Sequence, residues 1–221
     1  MHAASEQPTP LLTGDGSHSL CDSRTGETYH SSFGAVQESQ HIFIEQGLRF
    51  LPKKEITILE VGFGTGLNAW LSLLEGRNSG LTIHYHSLEK YPLSPELTNQ
   101  LNYSGPTDRD LFRLLHSCAW NREVAITPDF HLTKTECDFT QYKADRMFDC
   151  IYFDAFSPDR QPEMWTEERF RHLAGHCNNQ AVITTYCSKG DVRRAMIAAG
   201  FEVEKLQGPP GKRHILRGIK K

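Results

Sequence analysis

The 221-residue sequence has no run of eighteen apolar residues, so a helical membrane span is not expected. Its first residues, Met1-His2-Ala3-Ala4-Ser5-Glu6-Gln7, lack the charged-then-apolar order of a secretory signal, and the expected compartment is the cytoplasm. The six cysteines, Cys21, Cys118, Cys137, Cys150, Cys177 and Cys187, include no C-x-x-C pair. That scatter argues against a zinc site and against a disulfide framework. His84 and His86 share one strand face, as a metal pair or as part of a polar face; the expectation is no metal. A large charge of one sign is also missing. The net charge is -3, which does not mark a nucleic-acid binder, but its distribution is uneven. Lys189 to Lys221 carries nine Lys/Arg against three Asp/Glu, leaving fifteen against twenty-four in the remainder. A basic end on an acidic body suits a phosphate backbone or a solvated face. The length fits one domain with enough core to fold alone, and no internal repeat or low-complexity tract interrupts it.

What the sequence does have is Glu60-Val61-Gly62-Phe63-Gly64-Thr65-Gly66-Leu67-Asn68, after the apolar run Ile56-Thr57-Ile58-Leu59 and before the helix-like Asn68–Leu74. Strand, glycine turn and helix together hold a nucleotide-like cofactor at the end of a parallel sheet. Glycines let the chain turn sharply and let a ligand approach, while the helix start contributes free N–H groups and partial positive charge. A dinucleotide fingerprint requires Gly or Ala at position 67, where Leu67 stands. The acid-x-Gly-x-Gly-x-Gly order instead matches a loop for S-adenosylmethionine, with Glu60 expected to face the cationic methionine end. Leu81–Leu88 reads as the next strand, ending in Glu89, about 20 residues past the turn and placed to accept from both ribose hydroxyls; a solvated strand-end acid is the alternative.

Strands alternating with helices along the rest of the chain predict an α/β fold with a mostly parallel sheet. Residues 1–12 read as loose, and Thr13–Tyr29 carries the turn chemistry of a small hairpin. Ala35–Phe50 has helical spacing, with Val36, Ile42, Phe43 and Leu48 on one face. Strand 56–61, helix 67–75 and strand 81–88 follow, then residues 92–119 as two helical pieces broken near Ser104-Gly105-Pro106. Strands at 129–133, 148–153 and 181–186 enclose a helix at 165–176, and a helix at 192–199 precedes the last two strands, 201–205 and 214–219. That final pair, joined through Gly208-Pro209-Pro210-Gly211, reads as an antiparallel edge hairpin.

Ligands in such sheets lie beyond the carboxyl ends of the strands. Asp154, at one such end, opens Asp154-Ala155-Phe156-Ser157-Pro158 and is the candidate catalytic acid: it can take a proton or hydrogen bond from an incoming amine, or merely cap a turn. Phe156 and Trp165 suit stacking on a planar base as well as core packing. Asp138, after Cys137, suits the adenine amino group or an ordinary loop. Tyr29 and His30, ahead of the cofactor segment, suit a lid over the pocket, and His30 equally suits a structural role.

These segments together resemble the methyltransferase module of the MnmC family. The resemblance is carried by Glu60–Asn68, Glu89-Lys90-Tyr91-Pro92-Leu93, Asp154–Pro158, Pro162-Glu163-Met164-Trp165-Thr166, Asp15-Gly16-Ser17, Tyr29-His30-Ser31 and Gly34-Ala35. Val192-Arg193-Arg194, Ala199-Gly200-Phe201 and Gly211-Lys212-Arg213 complete it, so that it runs from about residue 13 to 218. It implies a Rossmann-like methyltransferase with a short N-terminal hairpin-and-helix extension (1–50) before the cofactor domain (51–221). The implied reaction is methylation of the amine of 5-aminomethyl(-2-thio)uridine at the wobble position of tRNA. Carried over by motif, Gly62, Phe63, Gly64, Thr65, Gly66, Asn68, Lys90 and Asp154 join Glu60, Glu89 and Asp138 around the cofactor. Arg193, Arg194, Lys212 and Arg213 become candidates for tRNA phosphates. The sequence stops before any flavin-binding fingerprint, so the expectation is a stand-alone enzyme without FAD whose aminomethyl precursor comes from a separate enzyme. Rival expectations are an aminopropyltransferase, a methyltransferase of another amine, and a non-catalytic RNA-binding module; the joint presence of Glu60, Glu89 and Asp154 argues against the last.

Overall fold

The computed structural model describes residues 7–23 and 25–221. The start of the chain that reads as loose lies partly outside these residues. The part inside them is ordered: Thr9–Leu12 (β1) pairs antiparallel with His18–Cys21 (β2). Pro10 fits because this small ladder is all edge, where a missing donor is tolerated. Ala35–Ser39 (α1) begins where the spacing predicts, then widens into a π turn over Gln40–Glu45 and tightens into a 3-10 turn at Leu48–Phe50.

The main sheet contains eight strands. Glu55–Val61 (β3) leads through the glycine turn into Leu67–Ser79 (α2), which ends at Gly80 in the left-handed conformation. Thr82–Glu89 (β4) is followed by Pro95–Thr98 (α3) and Arg109–Ser117 (α4), the two helical pieces expected on either side of Gly105-Pro106. Next come Glu123–Thr127 (β5), Phe130–Glu136 (β6) and Phe148–Phe153 (β7). Glu167–Ala174 (α5) is capped by Thr166, whose hydroxyl accepts from the Arg169 N–H, with acids in its first turn and bases in its last. Cys177–Thr185 (β8), Gly190–Ala198 (α6), Phe201–Gln207 (β9) and His214–Lys220 (β10) complete the chain.

The strand order is β5-β6-β4-β3-β7-β8-β10-β9. The five inner strands β6, β4, β3, β7 and β8 run parallel, and β10 and β9 form the predicted antiparallel hairpin. A second antiparallel strand, β5, covers the opposite edge, in a stretch to which the sequence reading assigns no element. The chain leaves β3 toward β4 and returns on the other side as β7, so the sheet reverses direction of growth between β3 and β7. One face packs Ile56, Ile58, Tyr85 and Tyr152 against α1, α2 and α4. The other packs Leu59, Val61, Ile151 and Phe153 against α5 and α6. The parallel strands are buried on both faces, which is why they read as apolar runs rather than alternations. Among the described residues no helix is long and apolar enough to cross a membrane.

Candidate active site

Beyond the carboxyl ends of β3, β4 and β7 lies a cavity of about 530 Å³. Its floor is the turn after β3 and the first residues after β7, which touch. A Cβ on Gly62 (φ +96°) would stand 2.9 Å from the Asp154 carbonyl oxygen, so only glycine permits this approach. The Gly62 and Phe63 N–H groups donate to the Leu88 carbonyl, tying the turn to β4 as well. Gly66 is the N-cap of α2 and lies behind the cavity wall, with Gly64 and Thr65 facing it. Phe63 is 4% exposed and packs edge-on against His116 and Trp120, above the buried Lys134 ammonium.

The acids take different roles in this geometry. Glu89 spans the turn: Oε2 accepts from the Gly64 N–H (2.9 Å) and Oε1 from the Tyr91 N–H (2.8 Å). It lines the cavity with part of its acceptor capacity in use, so it both shapes the loop and keeps acceptor positions for a ligand. Asp138 accepts from the Thr140 N–H and hydroxyl and from Lys90 (2.7 Å), which holds its carboxyl down at about 2. Asp154 accepts from the Asn68 amide (2.8 Å). Burial, with the Glu38 charge adding to it, pushes the Asp154 carboxyl up to about 7, against the pull of Asn68 and Lys212.

Glu60 departs from expectation. It is fully buried, points into the face under α2 rather than into the cavity, and accepts from the Ser87 hydroxyl (2.6 Å); its Oε1, near Asn68 and Tyr85, has no aligned hydrogen bond among the described residues. Parity along β3 explains this: Glu60 shares the face of Ile56 and Ile58, while Val61 turns to the other. Burial raises its carboxyl to about 8, so the folded protein holds a proton there that the unfolded chain loses near 4.5. Stability from this group is complete below pH 4.5 and is lost as pH rises toward 8. Glu60→Gln is expected to flatten that decline in the ligand-free protein, with a gain on the order of 5 kcal/mol at the alkaline end. Urea unfolding of both proteins across this pH range measures it, and parallel curves would mean that Glu60 is already ionised when folded.

The N-terminal segment forms the facing wall. Tyr29 meets Phe156 edge-to-face at 5.3 Å and lies over Gly64. His30 Nε2 is 2.7 Å from the Thr65 hydroxyl, and burial lowers its pKa to about 4, so it is a neutral tie between hairpin and glycine loop. Glu27 accepts from the Ser157 N–H (3.1 Å) and hydroxyl, latching the same wall to the loop after β7.

Trp165 is corrected by the structure. It is 5% exposed, packed among Phe153, Phe170 and Tyr186, with its indole N–H donating to the Phe156 carbonyl (2.8 Å). It supports Phe156 from behind rather than presenting a stacking face. Lys212 is likewise not on the outer surface: it lines the cavity, 3.2 Å from Glu38 and 4.7 Å over the Tyr186 ring. Arg193, Arg194 and Arg213 are exposed and outside the cavity, with Arg194 paired to Asp191. His84 stacks on His131, while His86 is buried against Phe148, so the two rings face different neighbours. The sequence reading missed Glu38 and Tyr186, both on the cavity wall. For Glu38 a signal existed, since it stands one helical turn before the buried Ile42.

A family model described as S-adenosyl-L-methionine-dependent methyltransferase matches residues 121–221. The bifunctional tRNA 5-methylaminomethyl-2-thiouridine biosynthesis protein MnmC of Paraburkholderia phymatum is 31% identical over 210 residues, covering 87% of this chain and 32% of that protein. The MnmC protein of Pseudomonas fluorescens is 34% identical over 211 residues with the same coverage. The chain thus spans about a third of the length of the curated relatives it matches. The crystal structure of MnmC2 from Aquifex aeolicus superposes with a TM-score of 0.80 at 26% identity, over 97% of this chain and 71% of that one. Spermidine synthase from Thermotoga maritima shares the fold, with a TM-score of 0.50 at 12% identity over 97% of this chain and 72% of that one.

Proposed function

We propose, from its similarity to the methyltransferase part of the MnmC proteins, that the chain methylates the amine of 5-aminomethyl(-2-thio)uridine at the tRNA wobble position, in the cytoplasm. The observation that carries this reading is Asp154, a half-buried carboxyl on the cavity wall where the glycine turn and the β7 loop meet, pushed up to about 7 by desolvation. The residues present fit S-adenosylmethionine: a turn whose glycines leave room for a ligand, Glu89 toward the ribose, Asp138 toward the adenine, and Asn68 beside Asp154. When bound, that cofactor supplies an electrophilic methyl group on a sulfonium.

The chain's own residues do the rest. An alkyl amine arrives protonated, and its lone pair is free only after a proton leaves. A carboxyl poised near neutrality takes that proton, and Asn68 fixes which oxygen faces the cavity. Tyr29 and Phe156 form an aromatic wall that holds a planar base and aims its substituent, which is much of the rate advantage. Arg193, Arg194 and Arg213 on the outer surface suit the RNA backbone, and a separate enzyme supplies the aminomethyl precursor.

The test combines protein, S-adenosylmethionine and tRNA bearing 5-aminomethyl-2-thiouridine, followed by nucleoside mass spectrometry. A 5-methylaminomethyl product is expected. The absence of product with intact cofactor binding removes the substrate assignment. Turnover with decarboxylated S-adenosylmethionine alone converts the reading to aminopropyl transfer.

A further inference from the structure

We propose that Glu38 is a second carboxylate of the acceptor site, binding the substrate's ammonium beside Asp154, with Lys212 as its resident counter-ion. The inference rests on the reading of the acceptor as an amine. Glu38 is 7% exposed, yet it is on the cavity wall. The Ser31 N–H donates to its Oε2 (2.7 Å), which fixes the carboxylate in place. Its Oε1 is buried without an aligned hydrogen bond: Lys212 Nζ stands 3.2 Å away but off the hydrogen-bonding direction, drawn over the Tyr186 ring. Tyr186 is itself held by a hydrogen bond from its hydroxyl to the Ala155 carbonyl (2.9 Å), the residue after Asp154. A buried acceptor without an aligned hydrogen bond, held at Lys212, therefore lies in the wall of the same cavity as Asp154. A neutral substituent on the base gains little there, whereas an ammonium satisfies it with a charge-assisted bond.

Two carboxylates have distinct work to do. The group that receives the proton stops being an anion and can no longer hold a cation. Asp154, whose side chain is hydrogen-bonded by the neutral Asn68 amide, receives it: one N–H bond of the ammonium breaks, one O–H bond forms on Asp154, and a neutral amine and a neutral acid remain. Glu38, with Lys212 beside it, keeps hold of another N–H through that transfer. The groups acting on Asp154 are Glu38 from α1, Asn68 from α2 and Lys212 from the β9–β10 turn, while Glu60 from β3, Tyr85 from β4 and Tyr186 after β8 feel its charge. Glu38 pushes its carboxyl up and Lys212 pulls it down.

Glu38→Gln and Lys212→Met test the assignment through opposite signs. In cofactor-free binding, the wild type is expected to prefer tRNA bearing 5-aminomethyl-2-thiouridine over the same tRNA with unmodified uridine. Glu38→Gln is expected to lose about tenfold of that preference and to raise KM more than it lowers kcat. The acid limb of kcat/KM moves to lower pH in Glu38→Gln and to higher pH in Lys212→Met, a pair of shifts that a purely structural role does not produce. Melting temperature and S-adenosylmethionine affinity report folding in both variants. A wild type that methylates this tRNA, with a Glu38→Gln variant that keeps both the preference and the pH profile, overturns the role of Glu38. A wild type that transfers no methyl group overturns the functional reading itself.

Discussion

Asp154→Ala is expected to lower methyl transfer by about 10³-fold while cofactor affinity stays within a few-fold of the wild type. The separation follows from position. Asp154 hangs from the end of β7, on the proposed acceptor side, whereas the proposed cofactor cradle is the backbone after β3 with Glu89 and Asp138 beyond it. Removing the carboxyl leaves the Gly62 turn tied to Leu88 through main-chain bonds that do not involve the Asp154 side chain. In the wild type, kcat/KM should rise with pH through about 7, because a carboxyl held that high accepts a proton only once it has ionised. The variant should lose this limb. Stopped-flow or discharge assays with aminomethyl tRNA across pH, with calorimetry for the cofactor, measure both effects. Loss of cofactor binding in Asp154→Ala would refute the acceptor-side role.

Gly62→Ala should do the reverse, weakening S-adenosylmethionine by about 100-fold before any chemistry is reached. The residue combines a positive φ of +96° with a Cβ direction blocked at 2.9 Å by the Asp154 carbonyl. The left-handed conformation alone costs a side chain roughly 1–2 kcal/mol, and the obstruction is main chain, which cannot swing aside. Relief requires parting the ends of β3 and β7, the seam along which the cavity floor is built. Gly80 is the matched control: its φ is +61°, but nothing lies within 4 Å of an added Cβ. Gly80→Ala should cost about 1 kcal/mol of stability and leave the cofactor bound as before. Equal cofactor affinities in the two variants would show that the glycine turn does not hold the ligand.

The parts of this fold that were legible in sequence are those where one physical demand selects the residue. Only glycine satisfies a turn like that at Gly62, so strand, turn and helix were readable there. Gly105-Pro106 likewise announced the break between α3 and α4, and Gly208–Gly211 the hairpin of β9 and β10. Where one residue type serves two demands, sequence was silent. An indole serves base stacking and core packing equally, and only the neighbours Phe153 and Phe170 decide for Trp165. Glu60 stood in the expected motif, but its direction depends on strand parity that the glycine pattern does not encode. β5 was missed because Glu123–Thr127 is a short edge strand in which only Ile126 is buried. Lys212 looked like part of a basic surface because charge counting cannot see that Glu38 draws it inward.

The latch between Glu27 and Ser157 and the tie between His30 and Thr65 mean that the donor cradle and the acceptor wall are written in different stretches of the chain. The proposed cradle comes from residues after β3 begins; much of the wall facing it, beside Phe156, Tyr186 and Lys212, comes from Glu27, Tyr29, His30 and Glu38, all before α1 ends. The two halves can therefore diverge at different rates. Drift confined to the short leading stretch reshapes which acceptor is admitted without touching the donor, so lineages with the same glycine turn and the same Asp154 can come to modify different amines.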